Sequence, residues 1–406
     1  MATATSRSIH DPSFFTILVI AAACVACWSL PSRSRGQDHR LEQEQAIDKI
    51  LKTGGAIERD ETRPGKPVRS LHLTSFKDDF LLKQLGAWET LVSLDLARAP
   101  VDGKALACLD KMTNLRSLSF GFSTITDADA AQFKTPASLR VADFLGTHIT
   151  GTSLRCLRNS RQLTVLLLGN CRGVRNAGLE QLKVLTELQT VDLSGTRVHD
   201  AGMTHLRSLI NLRALSLDDT EITDAGLENL SALLNLEDLC LSNTQLHDVG
   251  MKYLRLLANL QTLSLDGTGI TDAGLDDLLG LEKLEELSLT KTQVTDAGMA
   301  RLKAMKQLDT LCLSETRVTD AGLTALRDLP KLEILELDES QLTEVGLRNL
   351  RALPHLKEIY PIGPHVNADF ARKMKAELPG VEIDLFLREF PRYNPPTGVP
   401  GADSPK

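Results

Sequence analysis

Between Leu188 and Leu353 the apolar positions follow one schedule. In the stretch Leu212 to Leu233, LRALSLDDTEITDAGLENLSAL, Leu215 and Leu217 alternate with polar residues, the period of a half-buried strand. Ile222 returns to the interior, and Leu227, Leu230 and Leu233 follow at the spacing of one helical face. The unit therefore predicts strand, turn and short helix. Its frame recurs from Leu188, Leu212, Leu236, Leu260, Leu284, Leu308 and Leu332, a period of 24 residues, with weaker copies from Val68, Leu91, Leu115, Leu139, Leu163 and Leu356. Self-similarity at this period is the signature of a solenoid. One repeat cannot bury its own apolar face, so stability comes from stacked neighbours. The expected fold is an α/β horseshoe of about 13 repeats, with parallel strands on the concave face and short helices on the convex face.

Within the unit, the Thr220 hydroxyl is expected to satisfy backbone groups in the turn and to stack repeat upon repeat as a ladder. Thr223 or Asp224 is placed to cap the helix, where the aspartate charge suits the helix dipole. His199 and His247 fall at the Thr223 position and read as cap variants. The motif LxxLxLxxTxITDAGLxxL resembles the leucine-rich repeat family over roughly residues 66–386. Its TDAGL half is similar to the cysteine-containing subclass of ubiquitin-ligase substrate receptors. The 24-residue form with threonine at the ninth position resembles exported repeat proteins of planctomycete-like bacteria. The resemblance implies a solenoid that binds proteins.

The early units are irregular. Trp88 and Phe133 replace helix leucines, Phe120 and Phe144 replace strand leucines, and Pro136 shortens a helix. The repeat at Leu163 holds one extra residue near Cys171-Arg172-Gly173, which predicts a bulge. Residues 41–66 read as an N-terminal cap, with Ile47, Ile50 and Leu51 on one helix face, Gly54-Gly55 as a stop and a strand over 56–62. The domain proper spans 67–386. In the last unit Ile359-Tyr360-Pro361 breaks the strand pattern, Asn367 caps a longer helix to about Leu378, and Val381–Leu385 adds a closing strand. Residues 389–406 hold five prolines without periodicity and read as a tail. Residues 14–30, FFTILVIAAACVACWSL, form the only long apolar run. With Arg7 before it and small residues at its end, residues 1–35 read as a secretory signal. The alternatives are an uncleaved anchor, at the short limit for a spanning helix, and a poor lipobox at Cys24.

Composition adds mostly exclusions. The nine histidines are scattered, with no HExxH, no close Cys/His cluster and no phosphate-binding loop, so neither catalysis, a cofactor nor a metal is expected. A net charge of −7 without a basic footprint disfavours nucleic acid, and membrane contact is expected only through residues 14–30. Cys108 and Cys156 lie two repeats apart, and Cys240 and Cys312 three. Parallel strands about 4.8 Å apart put these pairs roughly 10 and 14 Å apart, beyond the roughly 7 Å that a disulfide spans. Cys171 is expected buried, and Cys240 and Cys312 exposed on concave strands.

The outward strand positions grade along the chain. Arg69, His72, Arg98, Arg116 and Arg140 come first, then apolar Phe122, Val141, Leu145, Val165 and Leu167. The second half is acidic: Asp218, Asp219, Glu237, Asp238, Asp266, Glu285, Glu286, Asp309, Glu315, Glu333 and Glu336, with Asp338 and Glu339 beyond and Arg213 and Lys291 as opposing charges. This set is the candidate surface for a protein partner carrying a basic patch; reversing Glu285, Glu286, Asp309 and Glu333 to lysine is expected to abolish capture. The bland alternative is a solvated face that keeps the protein soluble. Two other roles fit the repeats: a structural envelope protein with no specific ligand, and an adaptor like the ubiquitin-ligase receptors. The second is disfavoured by an export-like segment standing where such adaptors carry a docking domain.

Overall fold

The computed structural model describes residues 46–52, 54–73, 88, 90–101, 103–337, 343–360 and 368–383. Fifteen strands form one open sheet in strict sequence order. They are β1 (Ala56–Arg59), β2 (Val68–His72), β3 (Ser93–Asp95), β4 (Ser117–Ser119), β5 (Val141–Asp143), β6 (Val165–Leu167), β7 (Thr190–Asp192) and β8 (Ala214–Ser216). The series continues with β9 (Asp238–Cys240), β10 (Thr262–Ser264), β11 (Glu286–Ser288), β12 (Thr310–Cys312), β13 (Ile334–Glu336), β14 (Glu358–Tyr360) and β15 (Glu382–Ile383). β1 runs antiparallel to β2, and every later pair is parallel. Leu215, Leu239, Leu263, Leu287, Leu311 and Leu335 fall in register and are fully buried. Each stabilises the stack by about 1.5–3 kcal/mol of apolar burial.

Opposite the sheet lie single helical turns. Asp224–Leu227 is α-helical and continues as a 3-10 turn over Glu228–Ala232, Asp248–Leu254 is wholly α, and Gly322–Asp328 is wholly 3-10. The three leucines of the helical half are buried in either form. Only that face has to be presented, so neither hydrogen-bond pattern is imposed.

What ties repeat to repeat differs from the expected threonine ladder. The Thr220 hydroxyl donates to the Leu217 carbonyl three residues back, at 2.5 Å, and Thr196, Thr244, Thr292 and Thr316 do the same. That bond closes a turn inside one repeat. The ladder is carried by the aspartate of the TDAG motif. Asp200 accepts from the Thr223 amide (2.9 Å) and hydroxyl (2.6 Å) of the next repeat. Asp248 holds Thr271 in the same way, Asp272 holds Thr295, and Asp296 holds Thr319. The held threonine also caps its own helix, Thr223 Oγ1 accepting from the Ala225 amide at 3.3 Å. The glycine of the motif has a separate reason. A Cβ on Gly226 would lie 2.5 Å from Asp200 Oδ1, and one on Gly274 would lie 2.5 Å from Asp248 Oδ1. The ladder carboxylate passes where a side chain would sit.

His199 and His247 occupy the cap position, but neither side chain makes a capping bond. Their amides join the ladder, donating to Asn176 Oδ1 and Asp224 Oδ1, and their rings turn to the same residues, His199 within 2.7 Å of Asn176 Nδ2 and His247 Nδ1 3.8 Å from Asp224 Oδ2. Phe120 stacks on Phe144 at 5.3 Å and tilts against Phe133 at 5.8 Å, filling the early core where leucines are missing. The extra residue at 171–173 is absorbed in the turn, for β6 and β7 stay in register at Val165 and Thr190. Cys171 is buried there, and its thiol donates to the Phe144 carbonyl at 2.9 Å.

At the N-terminal end Ala46, Ile47 and Ile50 enter the core, whereas Leu51 is 54% exposed and does not share their face. At the other end Glu358–Tyr360 continues the sheet, contrary to the break expected there, because Ile359 takes the inward leucine position. The helix Ala368–Glu377 and strand β15 follow. Residues 1–35, Asn367, Asp338, Glu339 and 389–406 lie outside the described residues. Among the described residues no helix is long and apolar enough to cross a membrane, and no disulfide joins Cys108, Cys156, Cys171, Cys240 and Cys312.

Candidate functional site: the concave face

Each three-residue strand presents its first and third side chains to the concave face, and the residue just before the strand lies at its edge. From β8 to β14 the edge reads Arg213, Glu237, Gln261, Glu285, Asp309, Glu333 and Lys357. The first positions of β9 to β13 read Asp238, Thr262, Glu286, Thr310 and Ile334 in register. The third positions of β8 to β13 read Ser216, Cys240, Ser264, Ser288, Cys312 and Glu336.

This geometry divides the predicted acidic set. Asp218 and Asp266 lie past the strand and serve the backbone: Asp218 accepts from the Ser242 amide at 2.6 Å, Asp266 from the Thr290 amide at 2.9 Å and the Ser288 hydroxyl at 2.5 Å. Asp143 and Asp192, outside the predicted set, do likewise with the Leu145 and Ser194 amides. Glu336 is buried. Asp219 and Glu315 are not strand residues; with Arg98, Phe122 and Lys291 they occupy the turn that leaves the strand, at φ between 53 and 58°. That left-handed position recurs as Gly146, Gly195 and Gly267, so backbone conformation rather than a ligand selects its occupants.

Six predicted acids remain together: Glu237, Asp238, Glu285, Glu286, Asp309 and Glu333. Among the described residues, salt bridges reach only the outer two, Arg213 pairing with Glu237 and Lys357 with Glu333, both at 2.5 Å. Burial, then repulsion from Asp309, Asp238 and Glu285, pushes the Glu286 carboxyl up to about 7. Burial also raises Asp238 and Asp309. Deeper in the hollow, burial pushes Asp192 up to about 6 and Asp218 to about 7, against the hydrogen bonds they accept. Asp218 retains some exposed surface, but protein rather than water surrounds most of its carboxylate.

The N-terminal strands bring together a constellation the sequence did not reveal. His72, the last residue of β2, falls in register with Asp95 and Ser119, the third residues of β3 and β4. His72 Nδ1 lies 3.5 Å from Asp95 Oδ2. This hydrogen bond raises the imidazole against the effect of burial. Burial would raise Asp95, but bonds from His72 and the Ala97 amide hold it below the usual range. The order is wrong for a nucleophilic triad, which needs the imidazole between carboxylate and hydroxyl. Here the carboxylate is central, and Ser119 donates to Asp143 Oδ2 at 2.7 Å. Between this end and the acids, Val141, Val165 and Leu167 form a small buried cluster separate from the main core. Beside it, half-exposed Phe122 lies 5.9 Å from the Arg98 guanidinium.

Cys240 is half-buried and Cys312 fully buried, so neither is open as expected. Neighbouring strands close over a small side chain in a three-residue strand. Burial, reinforced by Asp218 and Asp238, pushes the Cys240 thiol well above its ordinary range. Iodoacetamide at neutral pH is expected to leave Cys240 unmodified in the folded chain and to label it in urea, read by peptide mass. Among the described residues no group of three or more His, Cys, Asp or Glu side chains is placed to hold a metal ion.

An open parallel sheet curved by stacked strand–turn–helix units defines a leucine-rich solenoid. The model of the leucine-rich repeat family matches residues 208–231, 257–279 and 280–303, and the chain is a leucine-rich repeat protein. No curated protein matches it in sequence. Among solved structures, the fold is similar to an internalin (inlF) of Listeria monocytogenes at TM-score 0.60 and 19% identity, covering 80% of this chain and 95% of that one. It is also similar to the mouse RP105/MD-1 complex at TM-score 0.56 and 18% identity, covering 78% of this chain and 59% of that one. These likenesses extend to the fold.

Proposed function

We propose that the chain is a non-enzymatic recognition module that takes a protein partner with a basic patch on the concave face of β9 to β12. The observation that carries this is the set of Asp238 on β9 and Glu285 and Glu286 at β11, which among the described residues no cation meets in a salt bridge, and where burial and then repulsion from Asp309, Asp238 and Glu285 push the Glu286 carboxyl up to about 7. Carboxylates left this way cost stability, and a cationic partner relieves that cost. Asp218, Asp219, Asp266, Glu315 and Glu336 are excluded, being committed to the backbone, the left-handed turn or the interior. Residues 41–66 cap the stack, and residues 1–35 export or tether it, which places the partner outside the cytoplasm.

The test uses a photo-crosslinking residue at Thr262, which lies in register between Asp238 and Glu286. In the native cell it is expected to yield one discrete heterologous adduct. Asp238→Lys with Glu286→Lys is expected to remove the adduct while circular dichroism stays unchanged. An adduct that survives this double reversal overturns the reading.

A further inference from the structure

The side of the solenoid where the chain returns from helix to strand carries two patterns that share one centre. The first is apolar. Val184, Ile210, Leu234 and Leu256 lie there 42, 56, 54 and 53% exposed. Ile210 and Leu234 each stand two residues before the first leucine of the β8 and β9 repeats. Val184 and Leu256 each stand four residues before the first leucine of the β7 and β10 repeats. The four are therefore placed symmetrically about the boundary between the β8 and β9 repeats.

The second pattern is charge, and it reverses sign about the same boundary. One residue after the first leucine, Arg213 of the β8 repeat mirrors Glu237 of β9. Arg140 of β5 mirrors Asp309 of β12, and Arg116 of β4 mirrors Glu333 of β13. Two residues before the first leucine, Arg161 of the β6 repeat mirrors Glu282 of β11. From the β4 to the β13 repeat, neither of these rows brings like charges to mirrored positions.

We propose that this flank is an isologous dimer interface whose occupant is a second copy of the chain. The twofold axis lies in the plane of the flank, between the β8 and β9 repeats, and runs from the concave to the convex side. Such an axis reverses the order of repeats and keeps each row against its own copy. A residue that meets a second residue is then met by it in return, as a twofold interface demands. Ile210 meets the partner's Leu234 and Val184 the partner's Leu256, forming an apolar centre. Arg140 meets the partner's Asp309 and Arg161 the partner's Glu282, forming a charged rim, the usual anatomy of such an interface. Arg213 and Glu237, paired within one chain, join their copies in a four-membered network on the axis. Both concave faces open to the same side. The inference does not rest on the concave-face partner, whose central residues Asp238 and Glu286 lie off this flank.

The full-length chain, in detergent if the N-terminal segment is retained, is expected to sediment as a dimer at micromolar concentration. Arg140→Glu alone places two like-charge contacts in the interface and is expected to weaken the dimer roughly tenfold or more; Asp309→Arg alone does the same. Mixed together, the two single variants restore opposite charges at both contacts, so a heterodimer of near wild-type affinity is expected. Ile210→Arg with Leu234→Arg is expected to give a monomer with an unchanged circular dichroism spectrum. A monomeric wild-type chain, or a dimer indifferent to all of these changes, overturns the interface. Single variants that dissociate but fail to recombine overturn its register. Absence of the Thr262 adduct from the otherwise wild-type chain, or its survival of the Asp238→Lys and Glu286→Lys reversal, with an intact dimer would overturn only the concave-face reading.

Discussion

Asp248→Ala is expected to destabilise the solenoid by about 3 kcal/mol, more than removal of most buried methyl groups. The carboxylate accepts from both the amide and the hydroxyl of Thr271, at 2.8 and 2.6 Å. Hydrogen bonds to a charged group contribute about 1.5–3 kcal/mol, and removing the acceptor strands a donor between repeats. Asp248→Asn keeps one acceptor oxygen and is expected to lose about half as much. Gly274→Ala attacks the same joint from the other side, since its Cβ would stand 2.5 Å from Asp248 Oδ1. The double variant is therefore expected to cost less than the two single losses together, because removing the carboxylate removes the clash. Urea midpoints of the four chains measure this. Additive losses would show that aspartate and glycine act separately, and the ladder would then not explain the motif.

The architecture was legible because burial is periodic. Leu215 and Leu217 can only point inward in a strand, and a 24-residue period can only stack. The assignment of polar residues was less legible, since a strand of three residues leaves most of the repeat to turns. Asp218 and Asp219 are neighbours in sequence with the same charge, yet one caps a backbone amide of the next repeat and the other fills a left-handed turn. Alternation alone labels both as face residues. The signal that separates them is comparison across repeats: in five of the other repeats the Asp219 position is filled by Gly146, Gly195, Gly267, Asn170 or Asn243, the residues that tolerate positive φ. The Thr220 ladder was misplaced for a related reason. A hydroxyl and a carboxylate are equally able to bridge repeats, and only the geometry shows Thr220 turned back on Leu217 while Asp200 reaches across to Thr223. The six clustered acids were legible as charge, but their separation into paired ends and an unpaired centre depends on the positions of Arg213 and Lys357.

Acidification from pH 7.5 to about 5 is expected to stabilise the chain, the reverse of ordinary acid denaturation. The sign follows from the direction of the shifts. Asp192 is pushed up to about 6 and Asp218 and Glu286 to about 7, all by burial first, so the folded chain binds protons at pH values where the unfolded chain has released them. Stability then falls as pH rises from the unfolded value near 4 through the folded values. His72, raised by its bond to Asp95, acts in the same direction. His205, lowered by burial and by Lys183, opposes them within this range and reduces the gain, whereas Asp95 and Asp127 are lowered and act oppositely only as pH falls below the ordinary carboxylate range. Asp192 is 2% exposed, and its whole shift corresponds to about 3 kcal/mol, of which roughly half is gained between pH 7.5 and 5. The Asp218 and Glu286 contributions are discounted for the water that reaches them, giving a gain of the order of 3–5 kcal/mol overall. Asp192→Asn is expected to flatten the profile and raise stability at pH 7.5, since an amide oxygen can still accept from Ser194 without a buried charge. Urea denaturation across pH 4.5–8 measures both, and a stability that is level or falls from pH 7.5 to 5 would show that the hollow keeps its carboxylates solvated. The same titration bears on recognition. Protonating Glu286 near neutral pH removes part of the charge offered by the concave face, so the proposed basic partner is expected to bind more tightly at pH 8 than at pH 6 while the free solenoid becomes less stable. Opposite trends in affinity and stability over one pH range are what a site held in electrostatic tension requires.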